Sequence, residues 1–237
     1  MMGMYSESSE VEMPHPRLSL AIILIIEDAI RAAWLMLLND NPARFNRLTA
    51  LEETINHHLR ETLQDRIWNR NKVDGFNGEL VACITSAEEI RNFDGKEFKK
   101  RPDMIVKLVG LPNNILPSQY GIFIECKPVD ANHSLTGDYC KRGIVRFIVG
   151  RYAWAMQEAL MIGYTQSNPN SLTSLQLALE STANTTQSLG QPSLCPLSNP
   201  TSVDRTVVTK HRRRFEYLEN SQPAVDITLR HVWLRRD

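Results

Sequence analysis

Apolar residues recur at helical spacing from Leu18 to Asn39, and the run Asn39-Asp40-Asn41-Pro42 sets the predicted end of that first helix. A second helix is predicted over Leu48 to Ile67, where Leu51, Ile55, Leu59 and Leu63 repeat every four residues and line one buried stripe. Glu52 borders that stripe, whereas Glu53 falls with Asn56 and Arg60 on the polar side. The pattern then becomes strand-like. Leu80 to Thr85, Met104 to Val109 and Tyr120 to Lys127 are short apolar runs bounded by turn residues. The last two are joined by Leu111 to Gln119, whose Pro112, Asn113, Asn114 and Pro117 suit a hairpin loop. From Gly143 to Ile162 the helical period returns, with Ile144, Ile148, Tyr152, Ala155 and Ala159 on one face and Arg146, Gly150, Ala153 and Gln157 on another.

The ends and the late middle are different in character. Met1 to Pro16 has no periodicity and is predicted to be a disordered arm, which leaves residues 17–237 as one domain. Between about residues 165 and 202 the chain turns to Ser, Thr, Asn, Gln and Pro, a variable insertion broken by a short helix at Leu172 to Leu179. Thr206 to Tyr217 and Asp226 to Leu234 are rich in β-branched and aromatic residues. They are expected as two edge strands, with Asn220 to Pro223 as the turn between them. There is no internal repeat. The fold class that follows is α/β, a mixed central sheet flanked by helices.

Composition narrows the picture. A chain of 237 residues with 42% apolar residues can build one sizeable core. Glu27, Asp28 and Arg31 interrupt the most apolar stretch, so it is not expected to cross a bilayer. No basic start with an apolar run and cleavage site lies near Met1, and a cytoplasmic location is the expectation. Cys83, Cys126, Cys140 and Cys195 form no paired metal or disulfide pattern. Lys plus Arg and Asp plus Glu each total 27, so attraction to nucleic acid would rest on local patches. Such patches occur at Lys100 and Arg101, at Lys141, Arg142 and Arg146, and near His211 to Arg214.

The chemistry concentrates around two strands. Pro102-Asp103 opens one, and Glu125-Cys126-Lys127 closes the next; alternation puts Glu125 and Lys127 on one side and Cys126 on the other. If the two strands pair antiparallel, Asp103 lies beside Glu125. Two carboxylates and the Cys126 carbonyl are hard oxygen donors suited to Mg²⁺. A neighbouring Lys127, its pKa lowered by desolvation, would orient or deprotonate a water and offset charge in a phosphoryl transition state. The apolar flanks Tyr120-Gly-Ile-Phe-Ile and Pro128-Val129 bury these charges, and buried charges need a reason. His57 and His58, adjacent on a helix, point about 100° apart and do not chelate one ion easily. His211 and His231 are expected in structural hydrogen bonds, and Trp233 in the core.

These residues resemble the signature of the PD-(D/E)XK nuclease superfamily, with its restriction-endonuclease-like fold. The resemblance covers about Thr49 to Tyr164. It implies a phosphodiester-cleaving nuclease using Mg²⁺, with Mn²⁺ as a substitute, acting on DNA in preference to RNA. In that family a helical acid often completes the metal site, and Glu52 is the match. The segment from Gly143 through Tyr164 also looks like helices of bacterial nucleases tied to restriction or phage defence. One branch of the superfamily follows a glutamine with a tyrosine four residues later. Here Gln157 is followed by Met161, so Arg146 and Gln157 carry over only as phosphate or base contacts. A homodimer suits cutting of both strands of a duplex. The alternative is a chemically idle nucleic-acid-binding or assembly subunit working with a partner protein, which would be expected to lack a metal ligand.

Overall fold

The computed structural model describes residues 11–40, 45–166, 172–186, 193–195 and 206–237. Ser19 starts the first helix, its hydroxyl accepting from the Ile22 N–H at 3.3 Å. In α1 (Leu20–Asn39) the residues Ile23, Ile26, Ile30, Trp34 and Leu37 are buried at helical spacing. The second helix begins as α2 (Glu52–Glu61) and widens into a π-type turn over Thr62–Ile67. Ile55, Leu59 and Leu63 are fully buried as the stripe predicts. Leu51 is not: it precedes the first helical turn and is 76% exposed.

Seven strands among the described residues form one mixed sheet in the order β1-β2-β3-β4-β7-β6-β5. They are β1 (Val81–Thr85), β2 (Met104–Leu108), β3 (Ile122–Val129), β4 (Glu158–Thr165), β5 (Ser193–Cys195), β6 (Val207–His211) and β7 (Ile227–Arg235). The predicted β2–β3 hairpin is present and antiparallel, whereas β3, β4 and β7 run parallel. All eight positions of β3 and of β4 are buried, as befits parallel strands covered on both faces. On one face Trp34 of α1 stacks on Tyr164 of β4, with ring centres 5.5 Å apart. On the other, Tyr139 stacks on Trp233 of β7 at 4.9 Å. Tyr139 belongs to a π-type helix over Leu135–Ile144, which runs on into α3 (Val145–Ile148). Gly163 lies under this stack, where a Cβ would overlap the Trp233 ring.

Several expectations need correction. The helix predicted over Gly143 to Ile162 stops at Ile148, since Gly150 and Ala153 both adopt positive φ and the backbone turns there. The apolar run from Glu158 is the central strand β4; a short buried run fits helix and buried strand equally well by periodicity alone. Neither C-terminal strand is an edge: β7 sits between β4 and β6, and β6 also pairs with β5. The strand β7 itself was predicted, and polar residues disguised only its interior position. Its Arg230 is buried against Glu27 of α1, and Thr206 donates to the same carboxylate at 2.9 Å. Of the predicted N-terminal arm, residues 1–10 lie outside the described residues. The segment from Val11 to Pro16 is packed, with the His15 N–H donating to the Ala155 carbonyl at 2.9 Å and the His15 ring fully buried. About half of the predicted insertion over 165–202 lies outside the described residues. Within it, Thr165 ends β4, and α4 (Leu172–Thr186) is longer than predicted and buries Leu175 and Leu179.

The C-terminus fixes the approach to α2. Arg236 is buried and donates to the carbonyls of Arg47, Leu48 and Ala50, at 2.6, 2.9 and 3.0 Å. These bonds hold the chain as it enters the helix that carries Glu52.

Between β6 and β7, the Thr209 hydroxyl contacts both His211 Nε2 at 2.6 Å and His231 Nε2 at 2.7 Å, and Tyr139 reaches His231 Nδ1 at 2.9 Å. Burial lowers the His211 pKa to about 4 and drives His231 well below its usual value. Folded-state values below the unfolded one make the contribution complete above about pH 6.5 and lost as pH falls toward 4. Raised carboxylate pKa values elsewhere oppose this slope, so a difference between variants isolates it. By urea unfolding, the stability lost between about pH 7 and about pH 5.5 should be smaller in His231→Gln than in the natural protein by about 1 kcal/mol. An equal loss in both would show that His231 is not held neutral.

Candidate active site

The site lies where the β2–β3 ladder opens. Pairing between these strands ends at Met104 opposite Ile124, so β3 runs on beyond its neighbour. Asp103 stands at that opening, and its Oδ2 accepts from the free Cys126 N–H at 2.7 Å. Asn56 of α2 helps keep the Asp103 carboxyl in its charged form, and is itself held by the Tyr164 hydroxyl, which donates to Asn56 Oδ1 at 2.7 Å. Asn56 follows Glu52 by one helical turn and is buried. Its assignment to the polar side with Glu53 is therefore corrected.

Lys127 ties the elements together. Its Nζ lies 2.5 Å from Glu52 Oε1 on α2, 3.0 Å from Glu125 Oε1 on β3 and 3.8 Å from Asp103 Oδ2. It also donates to the Cys126 carbonyl at 2.8 Å. Four residues from three separate stretches of sequence therefore meet around one ammonium, and Glu52 rather than the exposed Glu53 is the helical acid among them. Glu125 has no exposed side-chain surface. Arg146 Nη1 reaches its Oε1 at 2.7 Å, and the Tyr152 hydroxyl donates to its Oε2.

The electrostatics follow from burial. Burial raises the pKa of Glu52 and Asp103, opposed chiefly by Lys127. For Glu125, burial and then the neighbouring charge of Asp103 outweigh Lys127, Arg146 and Tyr152, and the carboxyl is pushed up to about 7. Lys127 differs from the sequence expectation. Burial alone would lower its pKa, but Glu125, Asp103 and Glu52 together raise it, so it stays an ammonium. As an ammonium Lys127 is suited to orienting water and offsetting negative charge.

The other sequence candidates separate into two groups. Arg146 joins the cluster. Lys100 pairs with Glu97 at 2.9 Å, Arg101 pairs with Glu89, and Arg142 pairs with Asp138 at 3.0 Å, while Lys141 is exposed on the π-type helix. Gln157 does not reach the carboxylates: its amide accepts from Arg17 at 3.0 Å and donates to the His15 carbonyl at 2.9 Å, anchoring the N-terminal segment. His57 pairs with Glu61 at 3.2 Å, apart from the cluster. Glu27 is committed to Arg230. Sequence reasoning missed Tyr152 and Tyr164, both hidden in runs read as plain core.

Glu52, Asp103, Glu125 and the Cys126 carbonyl present only oxygen, and all approach one atom, Lys127 Nζ. That donor chemistry fits a hard dication such as Mg²⁺ or Mn²⁺. Among the described residues no group of three His, Cys, Asp or Glu side chains stands in ready coordinating geometry. The ammonium occupies the space between the acids. No helix among the described residues is long and apolar enough to cross a membrane. The chain matches no family profile, no curated protein and no solved structure.

The raised Glu125 pKa has a testable sign. Its folded value, about 7, lies above the unfolded one, so its stabilising contribution is complete below the unfolded value and is lost as pH rises through 7. Glu125→Gln, which keeps the acceptor for Arg146, should gain stability over the natural protein between about pH 5 and about pH 8, by on the order of 1–3 kcal/mol. Urea melts across that range check this, and a gain that shrinks with rising pH would mean that Glu125 is comfortably ionised.

Proposed function

We propose that this chain is a metal-dependent nuclease of the PD-(D/E)XK type that hydrolyses phosphodiester bonds. The observation carrying the reading is the meeting of Glu52, Asp103 and Glu125 on Lys127 at an open strand end. These are the four side chains that the motif resemblance selects from the sequence. The mixed sheet flanked by helices supports it. DNA as the preferred substrate, a paired arrangement of two copies and a role in defence are carried over from the resemblance alone.

In this reading Glu52, Asp103 and Glu125, with the Cys126 carbonyl, would hold Mg²⁺, or Mn²⁺ in its place. When bound, the metal supplies Lewis acidity toward a phosphate oxygen. The protein's own groups do the rest. Asp103 is fixed by the Cys126 N–H, and Glu125 by Tyr152 and Arg146, so the donors are oriented before substrate arrives. Lys127 is a fixed positive charge that orients water and offsets the charge growing on the phosphoryl oxygens. Arg146 offers a second cation next to it, suited to a phosphate.

A second reading, a binding subunit without chemistry, is favoured by one observation: Lys127 lies in the space among the acids as an ammonium. Incubation of the purified protein with plasmid, single-stranded DNA and RNA, with and without Mg²⁺, separates the two. Cleavage that needs Mg²⁺ is expected. Lys127→Ala should abolish it, and Glu52→Gln should lower it by about a hundredfold or more, while Glu53→Gln stays near the natural rate. Thermal melts in Mg²⁺ control for folding. Binding of nucleic acid without cleavage of any substrate would support the second reading, and full activity of Glu52→Gln would remove α2 from the site.

A further inference from the structure

Arg213 follows β6 and is buried, 4% exposed. All four of its hydrogen bonds go to main-chain carbonyls: Val225 at 2.9 Å, Ala153 at 3.1 Å, Trp154 at 2.7 Å, and Met156. Glu158 and Asp226 act on it only at longer range. Burying a guanidinium without a contacting carboxylate is costly, and here burial depresses its pKa to about 10. The place where it binds explains why the charge is kept. Between α3 and β4 the chain is neither helix nor strand and takes positive φ at Gly150 and Ala153, so its carbonyls lack a regular ladder. The planar fork of an arginine satisfies several of them at once, which the point charge of a lysine does not. Three of the four acceptors fall within the four residues after Tyr152, the tyrosine that donates to Glu125. The ring of Tyr152 packs edge-on against Phe147 at 5.1 Å; the loop beyond it also receives the His15 N–H on the Ala155 carbonyl and gives the Trp154 indole N–H to the Arg91 carbonyl at 3.1 Å, but Arg213 is the group that ties three of its carbonyls together.

We propose that Arg213 is a positioning residue of the candidate site, clamping the loop from Ala153 to Met156 so that the Tyr152 hydroxyl is held on Glu125. The proposal rests on the nuclease reading for its consequence in turnover, but not for the clamp itself. Arg213 touches none of the four central residues, and its influence passes through Tyr152 to the Glu125 carboxylate, which Arg146 and Lys127 share.

A double-mutant cycle tests the route. Arg213→Lys and Tyr152→Phe should each lower kcat about tenfold or more with KM little changed, and the double variant should be no slower than Tyr152→Phe within about threefold, because one residue acts through the other. A simple structural role would instead give effects that multiply, and that result overturns the proposal. Arg213→Gln, which removes the buried charge as well as the fork, is made alongside in case the lysine variant folds poorly. Failure of both to fold would assign Arg213 to stability alone and also overturn it.

A readout independent of catalysis is the carbon-13 resonance of the Tyr152 ring carbon bearing the hydroxyl, identified by its loss in Tyr152→Phe. In Arg213→Lys it should move toward the free-tyrosine position, and an unmoved resonance contradicts the clamp. If the natural protein cleaves nothing while the resonance moves as expected, the nuclease reading fails and the clamp stands. If the protein cleaves but the cycle is multiplicative, the reverse holds.

Discussion

The buried ammonium of Lys127 is the contact on which the site depends. Glu52, Asp103 and Glu125 come from a helix, a turn and a strand, and like charges gathered out of water repel one another. Lys127 and Arg146 supply two positive charges against these three negative ones, so the arrangement is nearly but not fully compensated. Removing one member of a buried ion cluster typically costs about 3–5 kcal/mol, because the partners are left uncompensated. Burial raises the pKa values of all three acids, and the charge of Asp103 adds to the rise at Glu125 and Glu52. A surplus of negative charge on hard oxygen donors is the condition under which a dication is favoured over an ammonium.

The architecture serves this cluster from both faces of the sheet. On one side Trp34, Tyr164 and Asn56 form a chain from α1 through β4 to Asp103. On the other, Arg146 and Tyr152 approach Glu125 from the segment after the π-type helix. Arg236 sets the start of α2 and so the height at which Glu52 enters. The strand order matters as much as these contacts. Because β3 outruns β2, its Cys126 N–H and carbonyl are free for Asp103 and Lys127. Complete pairing would have spent both groups in the ladder.

How much of this could be read from the sequence varied with the kind of signal. Glu52 was legible because an unbroken stripe of Ile55, Leu59 and Leu63 fixes the rotation of its helix. Asp103, Glu125 and Lys127 were legible because a hairpin and strand alternation suffice to bring them together. The strand β4 was misread as helix, since Ile144, Ile148, Tyr152, Ala155 and Ala159 keep helical spacing across a turn that only Gly150 announces. Tyr152 was misplaced with it. The packed segment around His15 has no periodicity to reveal it, as its order comes from contacts with residues 100 or more positions away. Lys127 shows the limit of local reasoning about charge. Its apolar neighbours suggest a lowered pKa, and the acids that reverse the shift are Glu125 nearby and Asp103 and Glu52 far away in sequence.

In the proposed reading the acids gathered on Lys127 form a cation site for which the ammonium and a dication compete. Calorimetric titration of the purified protein with Mn²⁺, set beside Asp103→Asn and Lys127→Met, tests it directly. Saturable binding to the natural protein is expected, weakened about tenfold or more in Asp103→Asn and at least as tight in Lys127→Met, where the competing ammonium is gone. Absence of Mn²⁺ binding in the natural protein and in a folded Lys127→Met variant would contradict it and leave the cluster as a buried ion network.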